Sequence, residues 1–197
     1  MATEILNERL LYPSYEIIGG EKIMSPSAAP THGGVIGRLL MIIGNYLDAN
    51  NLGYVFADDI DVYFPDGSLY KPDLSVVLKA NEKIIDWRRG IFGSPDMVVE
   101  VLSYSTRKKD LTIKKFTYEA TGVREYWIID PWAKIIDVYL LRDGKYFLDE
   151  IYHNYPEDEL KELTDEERAE IKFEIPVAVL DGFKVKIKNI FGRYIEP

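Results

Sequence analysis

Two acids and one amine stand out for the company they keep. Asp73 follows Pro72 at the head of the apolar run LSVVL, and Glu100 sits inside MVVEVL, between two valines. Lys114 follows in a segment whose spacing reads as a helix. Alternate side chains of a β-strand share a face, so Val98, Glu100 and Leu102 go to one side and Met97, Val99 and Val101 to the other. Glu100 is flanked by apolar groups on either side. A carboxylate so placed must be paired with a cation, bound to a metal, or protonated, because burying it charged and alone is costly. Asp73 shares a face with Ser75 and Val77 by the same alternation. Two carboxylates on neighbouring strands could hold one hard divalent cation through oxygen.

The expected helix places Leu111, Lys114 and Tyr118 on one stripe and Ile113, Phe116 and Ala120 on the opposite one. Lys114 is therefore not on a plainly polar face, and it could reach Glu100 or pair with Asp110 one turn back. Plainer roles stand beside these: Asp73 as a turn cap, Glu100 as a structural ion pair with Lys114 or Arg124, and Lys115 as a solvated residue. His32 opens another expected helix, facing a phosphate or metal or bonding locally. Glu21, just after a turn, either adds a carboxylate to the site or stays in solvent. Arg107, Lys108 and Lys109 at the start of the Lys114 helix suit a phosphate backbone, although cations there oppose the helix dipole. Arg88 and Arg89 form a weaker version of the same pattern.

The positioning elements follow from periodicity and turn chemistry. Tyr15 to Met24 reads as a β-hairpin turning at Gly19-Gly20. Thr31 is an expected cap for a helix bearing Val35, Ile36, Leu39, Leu40, Ile43 and Leu47, ending near Asn50-Asn51. Tyr54 to Phe64 reads as one strand. A strand opens at about Pro72, another spans DMVVEVLS, and Ser105 or Thr106 caps the Lys114 helix, which runs to Thr121 with Gly122 behind it. REYWIID is a third buried strand, IIDVYLL and KYFLDEIY form a hairpin, Thr164 caps a surface helix, and FKVKIKNIF is a last strand. Strands alternating with helices give an α/β or α+β class with a mixed sheet.

The chain has 197 residues, 47% of them apolar, and no cysteine. One domain spanning 1–197 accommodates that length. Disulfide frameworks, thiolate zinc sites and thiol nucleophiles are excluded, so a metal would be held by oxygen. The net charge of -9 argues against nucleic acid until its distribution is considered. Residues 149–174 hold 11 acids and 3 bases, whereas residues 71–124 hold 11 bases and 7 acids. A locally positive face remains available. No apolar run is long enough to span a bilayer, and the start lacks a signal-peptide pattern, so the expected location is the cytoplasm, with no membrane partner.

At these residues the sequence resembles the PD-(D/E)XK nuclease superfamily. It more closely resembles a bacterial, largely cyanobacterial, restriction-endonuclease-like family of uncharacterised proteins. The matching pieces are YEIIGGEKIMSPS, THGGVIGRLL, KPDLSVV and PDMVVEVLSYSTRKKDLTIKKFTYEATGVREYWIIDP, a core of about 12–141 to which the acidic segment 149–174 and the terminal strand are appended. The resemblance implies a restriction endonuclease-like fold, with a mixed central sheet flanked by helices and an N-terminal hairpin. It further implies that Asp73 and Glu100 bind Mg²⁺ or Mn²⁺ with the main-chain carbonyl of Val101. The superfamily lysine, two residues after the second acid, is Leu102 here. In the closer family a lysine four residues before a tyrosine on the next helix replaces it, matching Lys114 and Tyr118, with Lys115 as the alternative.

The expected function is metal-dependent endonucleolytic hydrolysis of phosphodiester bonds in DNA, by a homodimer if both strands are cut. One rival is an inactive nuclease fold that binds nucleic acid or protein, which Leu102 and the acidic segment permit. Another is a hydrolase using Asp73 and Glu100 as an acid/base pair, as in sugar cleavage.

Overall fold

The computed structural model describes residues 15–192 apart from 19, 25–28, 58 and 104–106. The expected caps Ser105 and Thr106 lie outside the described residues. A central six-stranded sheet is formed by β3 (Gly53–Ala57), β6 (Leu74–Leu78), β9 (Met97–Val101), β10 (Glu125–Asp130), β11 (Ile135–Arg142) and β12 (Lys145–His153). Their spatial order is β12-β11-β10-β9-β6-β3. Only β9 and β10 run parallel, with Glu100 opposite Ile128; the other pairs are antiparallel, so the sheet is mixed. The parallel pair is joined by the helical crossover that such a pair requires.

A second sheet, also six-stranded, is built from short pieces. It contains β1 (Tyr15–Ile18), β2 (Glu21–Met24), β4 (Val62–Tyr63), β5 (Leu69–Tyr70), β7 (Ile85–Asp86) and β8 (Gly90–Phe92), in the order β2-β1-β5-β4-β8-β7. The expected single strand from Tyr54 to Phe64 is therefore divided. Gly53–Ala57 belongs to the central sheet and Val62–Tyr63 to the second, with Asp59 at a φ of 61° between them. Continuous apolar character does not reveal a strand that changes sheets.

Each face of the central sheet has its own core. On one face packs α1 (Pro30–Asn50), which begins at Pro30 after Ala29 rather than being capped by Thr31, proline being well suited to a first helical position. Its buried Val35, Ile36, Leu39, Ile43 and Leu47 meet Leu74, Val76, Met97, Val99, Val101, Trp127 and Ile129. The carboxyl-terminal part completes this core through β13 (Glu174–Pro176), β14 (Lys184–Lys186) and α5 (Ile187–Phe191). The expected last strand is thus cut short, because Ile187, Ile190 and Phe191 present an i, i+3, i+4 apolar stripe toward α1. On the opposite face Val77, Val98, Leu102, Tyr126 and Ile128 pack with Ile18, Tyr70, Ile91 and Tyr118.

The helix of that second face is continuous over 107–121. It comprises Arg107–Lys109, a π-helical turn at Asp110–Lys114 and a regular segment at Lys115–Thr121, which ends at Gly122 with a φ of 90°; we call the whole α2. Between β12 and β13 the acidic segment forms two exposed helices, α3 (Glu157–Glu162) and α4 (Asp165–Glu170), the latter capped by Thr164 as expected. Among the described residues no helix is long and apolar enough to cross a membrane.

Candidate active site

The antiparallel register of β6 and β9 ends at Leu74 opposite Val99. Asp73 and the end of β9 lie just beyond it, where the backbone of Val101 has no strand partner on that side. The Asp73 side chain fills the gap: Val101 N–H donates to its Oδ2 at 2.6 Å, and His32 Nε2 lies 3.1 Å from the same oxygen. His32 belongs to the first turn of α1, so the contact ties that helix to the sheet end.

Glu100 faces the second core and is 2% exposed. Its Oε1 accepts from Tyr118 OH at 2.6 Å and Lys114 Nζ at 3.2 Å. Lys114 does not serve Glu100 alone. Its ammonium also lies 3.0 Å from Glu16 Oε1 and 3.4 Å from Asp110 Oδ1, so both partners considered for it from sequence are present. Glu16 in turn accepts the main-chain N–H of Lys71, two residues before Asp73, at 3.0 Å. The π-helical turn carries Asp110 and Lys114 inward together, and such wide turns recur at functional sites.

The electrostatics follow from burial. Desolvation pushes the Glu100 carboxyl well above its usual range; Lys114 opposes that shift, while Asp110, Asp73 and Glu16 reinforce it. Burial also works against charge on Lys114, yet Glu100, Asp110, Glu16 and Asp73 outweigh it and hold the ammonium well above its usual pKa. Tyr118 is raised by burial and then by Glu100, so its hydroxyl remains a donor. Four carboxylates thus gather around one permanent cation and one imidazole.

Glu16 is the participant that sequence reasoning passed over in favour of Glu21. It sits in YEII on β1, and its face, shared with Ile18, is the buried one. Glu21 is exposed on β2, an edge strand, and none of the described contacts joins it to the cluster. Lys115 also stays apart, its ammonium 3.6 Å from the centroid of the Tyr139 ring. Arg107 is paired with Asp130 at 2.5 Å, and Lys108 is exposed. Arg124 pairs with Asp96 at 2.7 Å rather than with Glu100. Leu102 occupies the position of the superfamily lysine and is buried in the second core.

A family model described as "Uma2: Putative restriction endonuclease" matches residues 8–178. The chain belongs to this family. In three dimensions it is similar to the crystal structure of a putative nuclease from Anabaena variabilis, with a TM-score of 0.69 and 19% identity over 94% of this chain and 96% of that one. At that identity the likeness speaks for the fold, which is restriction endonuclease-like as expected. No curated protein matches the chain. The Uma2 match extends past the core of 12–141 into the beginning of the carboxyl-terminal packing unit at Ile175 and Val177.

Proposed function

We propose that this Uma2 protein is a metal-dependent endonuclease that hydrolyses phosphodiester bonds in DNA, using Mg²⁺ or Mn²⁺. The observation that carries the reading is the approach of Asp73 and Glu100 at abutting strand ends, beside a lysine shared among three acids. The donor set fits a hard cation: carboxyl oxygens predominate around Lys114 and His32. Among the described residues no three His, Asp or Glu side chains are gathered closely enough to enclose an ion unaided. The shell would therefore be completed by the Val101 carbonyl, water and substrate oxygens, in keeping with the way magnesium retains water.

A bound ion would supply activation of the attacking water and neutralise charge developing on the scissile phosphate. The chain's own residues do the positioning. Val101 N–H and His32 fix the Asp73 carboxylate, Tyr118 fixes that of Glu100, and Lys114 keeps a positive charge where negative charge develops. Arg107, Lys108 and Lys109, at the start of the same helix, would contact the flanking backbone. A homodimer would bring two such sites to two strands, and light scattering would report it.

The test is nicking of supercoiled DNA with magnesium or manganese, with an RNA substrate alongside. Cleavage that disappears in Glu100→Ala and Asp73→Ala supports the reading; cleavage unaffected by both overturns it, and preference for RNA overturns the DNA assignment. One observation favours a second reading, a non-catalytic nucleic-acid-binding module: the Lys114 ammonium is already ion-paired to three carboxylates, as a structural network would have it. Calorimetric titration with manganese separates the two, since the module requires no ion and the nuclease does.

A further inference from the structure

A cleft of about 1580 Å³ lies away from Asp73 and Glu100, between α1, the ends of β11 and β12, and the β13–β14 hairpin. Its lining includes Arg38, Lys134, Lys172, Lys184, Lys186 and Lys188 against four acids, Asp149, Glu157, Asp158 and Glu174, in a chain of net charge -9. Lys184 and Lys186 alternate with buried Val185 on β14, which turns both ammonium groups outward. Lys188 follows on the next exposed position. Lys172 is paired with Glu150, but among the described residues Lys134, Lys184, Lys186 and Lys188 have no carboxylate within ion-pair distance. A lining of six cations against four acids, one of them Glu174 across the hairpin from Lys186, opposes the sign of the whole molecule and suits an anionic occupant.

The cleft's position relates it to the candidate active site. Val101 pairs with Ile129, Asp130 with Ile135, and Ile135 with His153, which lines the cleft. The row crosses three strand spacings, about 14 Å in all, along the same end of the sheet as Asp73; the cleft lies on the α1 face and Glu100 on the other, so a backbone joining them rounds that end, where His32 of α1 meets Asp73. That is about four axial phosphate steps of 3.4 Å on one DNA strand. The helix α1 makes the same link, carrying His32 at the site and Arg38 at the cleft, six residues or about 9 Å along its axis.

We propose that this cleft is the track for the phosphate backbone of duplex DNA whose scissile bond lies at Asp73 and Glu100, with Lys134, Lys184, Lys186 and Lys188 as its phosphate contacts. The assignment rests on the nuclease reading and adds to it the surface that holds the substrate.

Fluorescence anisotropy of a labelled duplex in EDTA, over about 50–200 mM salt, tests it without cleavage. The exposed triple variant Lys184→Glu/Lys186→Glu/Lys188→Glu should weaken binding at least tenfold, and its log–log salt slope should fall by about 0.9 for each phosphate left without its lysine. Lys134→Glu, on a different element, should weaken binding in the same direction. Asp73→Asn should keep the wild-type affinity and lose nicking. Wild-type affinity and slope in both charge-reversed proteins would overturn the track while leaving the nuclease reading standing. Absence of duplex binding by the wild type even at the lowest salt, together with absence of nicking, would overturn both.

Discussion

Adjacent parallel strands of the central sheet each bury a glutamate, and the two residues look outward from opposite faces. Glu125 on β10 is 0% exposed; its carboxylate accepts from Trp127 Nε1 at 2.7 Å and from the main-chain N–H of Val179 at 2.9 Å. Burial raises its pKa, and these neutral donors work against that shift. It fastens the carboxyl-terminal unit to the sheet, among residues that are otherwise apolar. Glu100 on β9 is as deeply buried, but its surroundings are a lysine, a tyrosine and three further acids. Burial alone therefore does not single out Glu100 as the proposed metal ligand. What separates the two is the company: neutral donors alone hold Glu125, whereas Glu100 shares a lysine with two other acids.

The largest effect expected is on chemistry. Glu100→Ala should reduce nicking by more than about 100-fold, above the usual cost of altering a supporting residue around a metal, whereas Glu125→Ala should leave activity per folded molecule unchanged. Equal losses in both would erase the distinction. On stability, Lys114→Met strands three buried acids and should cost about 3–5 kcal/mol in urea unfolding. Moving the amine back to the strand sharpens the point: Leu102→Lys in the Lys114→Met background projects onto the Glu100 face and should recover part of both stability and nicking. Glu125→Ala leaves an indole N–H and a main-chain N–H without an acceptor, for about 2 kcal/mol.

The smallest effect is on pH dependence. Because the folded pKa of Glu125 lies above its ordinary 4.5, the folded state binds this proton more tightly than the unfolded chain. The stability so conferred is complete below 4.5 and is lost as pH rises through the folded value. Glu125→Gln cannot ionise, so its urea midpoint should improve relative to wild type between pH 4 and 7. A constant difference across that range would show that burial does not perturb Glu125.

Much of the site was legible because β-alternation is strict. Glu100 and Leu102 could be assigned to a face from their neighbours, and the structure puts both beside the second core, whereas Asp73 precedes β6 and meets His32 of α1. Helical spacing correctly linked Lys114 with Tyr118. It misplaced Leu111, which is 37% exposed, since the π-helical turn changes the phase that a 3.6-residue period assumes. Glu16 in YEII is, like Glu100, an acid among apolar neighbours, but a hairpin sequence does not say which of its strands is the edge. The ion pairs of Lys114 to Glu16 and Asp73's capture of Val101 N–H depend on long-range register, which local patterns do not encode.

The wide turn at Asp110–Lys114 gives α2 a built-in indexing mark. Such a turn accommodates one residue more than a regular one and keeps the flanking segments in phase, whereas removing a residue from the regular helix between Lys114 and Tyr118 would rotate all that follows by about 100° relative to what precedes it. Tyr118 would then swing off Glu100 while the helix itself persisted. Length changes in this stretch are thus disallowed by geometry even where composition would tolerate them, so the amine and the phenol reach their acid only at one count of residues.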